Sequence, residues 1–148
     1  MIRSRLLSLG LTLCFLAVPA SAKAPVGRYS VNTTDGTVYD TLTKLTWQRD
    51  GSASGALNWA NAKTYCAGLA SAGGGWRLPE VTELRSIVDL HEQKPAIDPA
   101  AFPGTPADWF WSNTAYKGGS GSAWIVVFGS GYSSYGNVNY DFSVRCVR

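Results

Sequence analysis

Asn58-Trp59-Ala60-Asn61-Ala62-Lys63-Thr64-Tyr65-Cys66-Ala67-Gly68-Leu69 reads as a helix whose inward face carries a cysteine. Asn58 offers its side-chain oxygen to the first turn as an N-cap. Trp59, Ala62, Cys66 and Leu69 recur at helical spacing, which turns Cys66 toward the interior. Small residues and three glycines between Ala70 and Gly75 end the helix. Cys66 and Cys146 are the only cysteines after residue 22, and a pair with no third partner most simply forms one disulfide in an oxidising compartment. Closing so long a loop destabilises the unfolded chain by about 4.5 kcal/mol on chain-entropy grounds. The chain has no C-x-x-C redox motif, and it holds too few thiols and histidines for a zinc site.

Upstream of this helix, Tyr29 to Gln48 is rich in Thr, Val, Tyr and Leu and is interrupted at Asp35-Gly36 and Thr43-Lys44, the pattern of short strands joined by tight turns. Downstream, Trp76-Arg77-Leu78-Pro79 leads into a second helix. Pro79 is expected in its first turn, Leu84, Ile87, Val88 and His91 on its buried stripe, and its end before Pro95. A Pro-rich stretch follows, then strands expected near 110–113, 123–128, 136–140 and 143–147. Strands, two helices, an irregular stretch and further strands make an α+β pattern in one domain. The disulfide then runs from the first helix to the last strand.

The N-terminus supplies a compartment. Arg3 and Arg5, the apolar run Leu6 to Val18 and the small residues Ala20-Ser21-Ala22 form a cleavable signal peptide over residues 1–22, leaving 23–148 as the mature domain. The apolar run is shorter than a membrane anchor, so no stable membrane insertion is expected after cleavage, and the destination is the periplasm or the medium. Cys14 is followed by more apolar sequence and preceded by Leu13, which argues against lipidation. The formal charge of +3 loses two arginines with the signal. The remainder lacks the bulk charge on which nucleic-acid binding rests, so no nucleic-acid partner is expected.

Several segments in order carry a family resemblance: Leu45-Thr46-Trp47-Gln48-Arg49, Trp59 to Leu69, Trp76-Arg77-Leu78-Pro79 with Glu83-Leu84, Ile97-Asp98-Pro99, Trp111-Ser112-Asn113-Thr114, Ala123 to Phe128 and Val144-Arg145-Cys146-Val147-Arg148. Together they resemble the Lcl C-terminal domain family, a module of exported bacterial proteins. The resemblance implies a C-type-lectin-like fold, with two helices, a small twisted and mostly antiparallel sheet, and a disulfide from the first helix to the last strand. It places Trp47, Trp59, Trp76 and Trp124 at packing positions. Arg77-Leu78-Pro79 before a helix with Glu83 also resembles the formylglycine-generating branch of that fold. Such an enzyme needs paired cysteines near its C-terminus, where Cys146 stands alone.

Other chemistries find little support. His91 is the sole histidine, Asp89 two residues away would not face it on a helix, and no G-x-S-x-G elbow occurs. Glu80 and Glu83 fall in an early helical turn, where acids serve the dipole. The Glu-Pro-Asn and Trp-Asn-Asp signatures of calcium-dependent lectins are absent, and no metal or cofactor is expected. The stretch Ser130 to Asp141 stands out, because Tyr, Ser, Gly and Asn together make adaptable recognition surfaces. Its candidate contact residues are Tyr132, Tyr135, Asn137, Asn139 and Tyr140. Trp109 and Trp111 are neighbours, sharing one strand face while Phe110 takes the other. The expected function is a non-enzymatic binding or surface-recognition module for an extracytoplasmic glycan or protein, with a structural or assembly module of the envelope as the alternative.

Overall fold

The computed structural model describes residues 23–148. The expected signal segment, with Cys14, lies outside the described residues. The domain opens with β1 (Tyr29–Asn32), β2 (Thr37–Asp40) and β3 (Thr46–Gln48), joined as an antiparallel sheet in that order. The β1–β2 turn is held by Asn32, whose Oδ1 accepts from the N–H groups of Thr34 and Asp35 at 3.0 and 3.1 Å. Gly36 follows at φ +65°, a backbone region that favours glycine. Arg28 donates to both carboxylate oxygens of the buried Asp40 at 3.1 and 2.7 Å. Burial alone would raise the Asp40 pKa, but Arg28 and the Leu42 N–H outweigh it and hold the carboxyl below its usual range.

Helix α1 (Trp59–Gly68) begins where expected, with Asn58 Oδ1 accepting from Asn61 N–H at 2.9 Å. Ala62 and Cys66 are fully buried on its inner face, while Trp59 and Leu69 are half-buried.

Helix α2 (Val81–Ser86) is much shorter than its expected reach toward Pro95. Its N-cap is Glu80, so Pro79 stands just before the helix rather than in its first turn. Leu84 and Ile87 are buried as expected, but His91 is exposed and belongs to no buried stripe. The helix closes at Ile87 with Val88 N–H turning back to Arg85 O at 3.1 Å, and beyond it the buried Asp89 carboxylate accepts from the N–H groups of His91 and Ala24, both at 2.9 Å. The local bond to His91 competes with helical pairing there and turns the chain.

Glu83 closes the first turn of α2 by accepting from Glu80 N–H at 2.8 Å, and Arg77 grips its two oxygens at 2.7 and 2.6 Å. The Arg77 bonds, against a smaller opposing effect of burial, hold the Glu83 carboxyl below its usual range. A carboxyl with a lowered folded pKa contributes stability above its unfolded pKa and loses it as pH falls through the folded value. Glu83→Gln should therefore flatten part of the drop in urea midpoint between about pH 5 and about pH 2. An acid limb as steep as wild type would show that Glu83 carries none of the acid sensitivity.

A second antiparallel sheet follows, built from β4 (Trp109–Ala115), β5 (Ser122–Val127) and β6 (Tyr132–Asn137), with β5 in the centre. The sequence pointed to one sheet, and the described residues form two three-stranded sheets. Strand β6 starts four residues before its expected position, so Tyr132 and Tyr135 lie within a strand. Residues 143–147 form no strand of their own. They make single bridges instead: Ser143 to Phe110, and Val147 to both Trp47 and Arg77. Val147 is wedged between β3 and the segment before α2, exchanging backbone bonds with Arg77 at 2.8 and 2.9 Å. On its other side, Thr46 and Arg148 exchange a pair at 2.9 Å.

This terminal segment links the two sheets. Cys146 is bonded to Cys66, with an S–S distance of 2.02 Å, so the bridge joins α1 to the terminal segment rather than to a strand. Arg145 is fully buried and donates to Gln48 O, Arg49 O and Thr105 Oγ1, each at 2.7 Å, with its guanidinium 4.7 Å from the Phe102 ring centroid. Burial pulls its pKa down to about 9, against the opposing pull of Asp50, which leaves it charged at neutral pH. Gly51 is tied to this arrangement, since a Cβ there would strike the guanidinium.

The two faces of β5 feed two cores. On one face Val126 joins Phe110, Phe128, Leu84, Ile87 and Trp47. On the other Ala123, Ile125 and Val127 join Trp111, Ala62, Cys66 and Cys146.

Candidate functional site

Side chains alternate along β6, so Tyr132 and Tyr135, three residues apart, point to opposite faces. The structure therefore divides the expected contact residues between two surfaces.

On the first surface, Trp109 and Tyr132 both pair with Val127 of the central strand and flank it. The Phe142 ring lies over this face, with its centroid 5.1 Å from Trp109, 4.6 Å from Trp111 and 6.3 Å from Tyr140. Gly136 makes this possible, because a Cβ at that position would collide with Phe142. Trp109, Tyr132 and Tyr140 keep 40%, 56% and 62% of their surface exposed. Asp108 borders the patch, with Oδ1 accepting from Trp109 N–H at 2.7 Å. Trp109 and Trp111 do share a face, as expected, and Phe110 takes the other. Trp111, however, is not a surface residue. It is fully buried beneath Phe142 and donates from Nε1 to Leu57 O at 2.8 Å, which removes it from any contact surface.

The second surface centres on Tyr135, half of which is exposed. Its ring is stacked on Tyr116 at 4.0 Å with 4° between the planes, and Tyr116 meets Trp124 edge-on at 5.3 Å. Trp124, expected as core, is half-buried within this outer trio. Trp59 is also half-buried, with Lys63 Nζ 3.5 Å from its ring centroid, whereas Trp47 and Trp76 are core. Tyr116 was not anticipated. It follows β4 beside Lys117-Gly118, and nothing in its spacing announces a partner on β6. Asn137 and Asn139 serve the turn after β6: Asn137 Oδ1 accepts from Asn139 N–H and Asn137 O from Tyr140 N–H, both at 3.0 Å. This is a structural duty that the sequence did not reveal.

Elsewhere, an open cleft of about 490 Å³ is lined by Asp35, Gln48, Arg49, Asp50, Ser52 and Pro103 among others, and by no residue of either aromatic surface. Asp50 is held below the usual carboxylate range by the backbone N–H and hydroxyl of Ser52. His91 stands apart and exposed, 3.7 Å from Glu92. Among the described residues, no group of three or more His, Cys, Asp or Glu side chains is placed to hold a metal ion, and no helix is long and apolar enough to cross a membrane.

No curated protein and no solved structure matches the chain. The family model of the Lcl C-terminal domain matches residues 36–148, which takes in β2 and β3 of the first sheet, the whole second sheet, both helices and the disulfide, while β1 lies ahead of it. The chain belongs to that family. In this Lcl C-terminal domain, the segments that carry the resemblance lie mostly in the scaffold: Trp47, Trp76 and Val144 to Val147 are buried. Tyr132, Tyr135 and Tyr140 lie between those segments and are exposed.

Proposed function

We propose that the chain is an exported, non-enzymatic recognition module of C-type-lectin-like fold, cleaved after Ala22 and acting in the periplasm or the medium. Its partner is an extracytoplasmic glycan or protein, and neither a cofactor nor nucleic acid takes part. The observation that carries this reading is the exposed aromatic surface of Trp109 and Tyr140 against Phe142, with Tyr132 across Val127 from Trp109. Large rigid rings with few rotors bind with little loss of side-chain freedom, and a sheet beneath them keeps their spacing fixed. The first-helix disulfide and the α+β order favour the lectin-like fold, and they suit an oxidising destination.

A glycan array and a pull-down with the exported protein would identify a partner. Tyr132→Ala and Tyr140→Ala are expected to weaken its binding by about tenfold or more, while the unfolding midpoint stays within about 1 kcal/mol of wild type. Tyr135→Ala, on the opposite face, should leave binding intact. If binding follows Tyr135 instead, recognition belongs to the Tyr116–Tyr135 surface. If none of the three changes matters to any captured partner, the assembly-module reading takes its place.

A further inference from the structure

The two edges of the β4–β5–β6 sheet are finished differently. Along β4, Trp111 N–H donates to Ser143 O at 3.0 Å and Ser143 N–H donates to Trp109 O at 2.9 Å, so the terminal segment occupies that edge. Along β6 the orientation of the backbone follows from two bonds. Val138 N–H donates to Gly121 O at 2.9 Å, and Trp124 O turns away from β6 to accept from Ser112 Oγ at 2.8 Å. Hydrogen-bonded and non-hydrogen-bonded pairs alternate in an antiparallel ladder. With Ala123 paired to Gly136 and Trp124 to Tyr135, Ser133, Tyr135 and Asn137 direct their backbone groups outward. Among the described residues, the N–H and C=O groups of Ser133 and Tyr135 meet no partner, and Asn137 O meets only its turn bond from Tyr140.

Proteins usually guard such an edge with a lysine, a proline, a bulge or a covering segment. Tyr132-Ser133-Ser134-Tyr135-Gly136-Asn137 contains none of the first two, and its register with β5 is regular, whereas the irregular register lies in β4 between Trp111 and Ala115. From Gly129 to Tyr140 no residue is charged.

We propose that this edge pairs with the same edge of a second copy of the chain, antiparallel about a two-fold axis at Tyr135. The strand is its own complement in that register. Tyr135 faces Tyr135 of the other copy, Ser133 faces Asn137, and Ser134 faces Gly136. The outward groups of Ser133, Tyr135 and Asn137 then form hydrogen-bonded pairs, each exchanging two bonds. The small Ser134 and Gly136 meet on one face of the joined strands. No like charges oppose one another across the axis, which a two-fold interface would otherwise present twice. The two sheets become one of six strands. This goes beyond the recognition reading and does not rest on it.

The test uses the protein expressed with its own leader and purified from outside the cytoplasm. Sedimentation equilibrium should give a dimer, and Tyr135→Pro, which removes the central N–H donor, should return it to a monomer. Tyr135→Lys, which puts two ammonium groups together at the axis, should do the same and covers the case in which the proline variant fails to fold. Tyr135→Cys should yield a reducible covalent dimer, since Cα atoms in a hydrogen-bonded antiparallel pair lie about 5.5 Å apart, within disulfide reach. Tyr132→Cys should not, because the register sets the two copies of that residue far apart. A wild-type monomer at every concentration would overturn the proposal. So would a dimer indifferent to both Tyr135→Pro and Tyr135→Lys, or cross-linking by Tyr132→Cys as efficient as that by Tyr135→Cys.

Discussion

Trp111→Ala is expected to lower the free energy of unfolding by about 3–5 kcal/mol, the range for truncating a large buried aromatic residue. The ring is fully buried among Ala62, Cys66, Ile125 and Val144, it carries Phe142 on one side, and its Nε1 holds Leu57 O. Removing it leaves a cavity under the exposed aromatic surface and loosens Phe142, the ring that Trp109 and Tyr140 both touch. Against a total stability of about 5–15 kcal/mol for a domain of this kind, the change would unfold a large share of the protein on mild heating. Urea unfolding measures it directly, and a loss under about 1 kcal/mol would contradict the buried position. Any binding lost in that variant would report collapse of the scaffold, so Tyr132 and Tyr140 are the informative positions for contact.

The second large effect is expected from Cys66→Ser combined with Cys146→Ser, which should cost about 2–5 kcal/mol. The bridge spans a separation of 80 residues, so its loss frees most of the domain in the unfolded state, an entropic gain of about 4.5 kcal/mol in the ideal limit. Both sulfurs are fully buried next to Trp76 and Val144, and the two hydroxyls left there would add a desolvation cost. Equilibrium unfolding of oxidised wild type and the double variant gives the difference. A value near zero would mean that the native chain does not depend on the bond.

The local signals in the sequence proved the most legible. The Asn58 cap, the Ala62–Cys66 face, the Asp35-Gly36 turn and the cysteine pair are each set by neighbours or by simple counting, and the structure has all of them. What stayed hidden depends on distant partners. The chain after α2 is tied by Asp89, which accepts from the N–H groups of His91 and the distant Ala24, and no hydrophobic stripe around Leu84 and Ile87 could reveal that. The division of Tyr132 from Tyr135 required the true start of β6, and the composition of that stretch placed them in one patch. Trp111 looked like Trp109 in the sequence, and although Phe142, thirty-one positions on, packs against both rings, Trp111 alone sits in the buried cluster with Ala62, Cys66 and Val144. Arg145 carries no sequence mark of burial at all, since its acceptors are two backbone carbonyls almost a hundred positions back and a threonine hydroxyl forty positions back.

The terminal segment has a kinetic consequence. Strand β3, the residues before α2, the outer edge of β4 and the sulfur on α1 all find their partners within residues 143–148. A chain that emerges N-terminus first from a ribosome therefore keeps those groups unmatched until residues 143–148 are free. Contacts this distant in sequence slow folding, and here they delay closure of the domain until that segment has arrived. Until that segment docks, the earlier elements have no latch, and its docking is the step that locks them together.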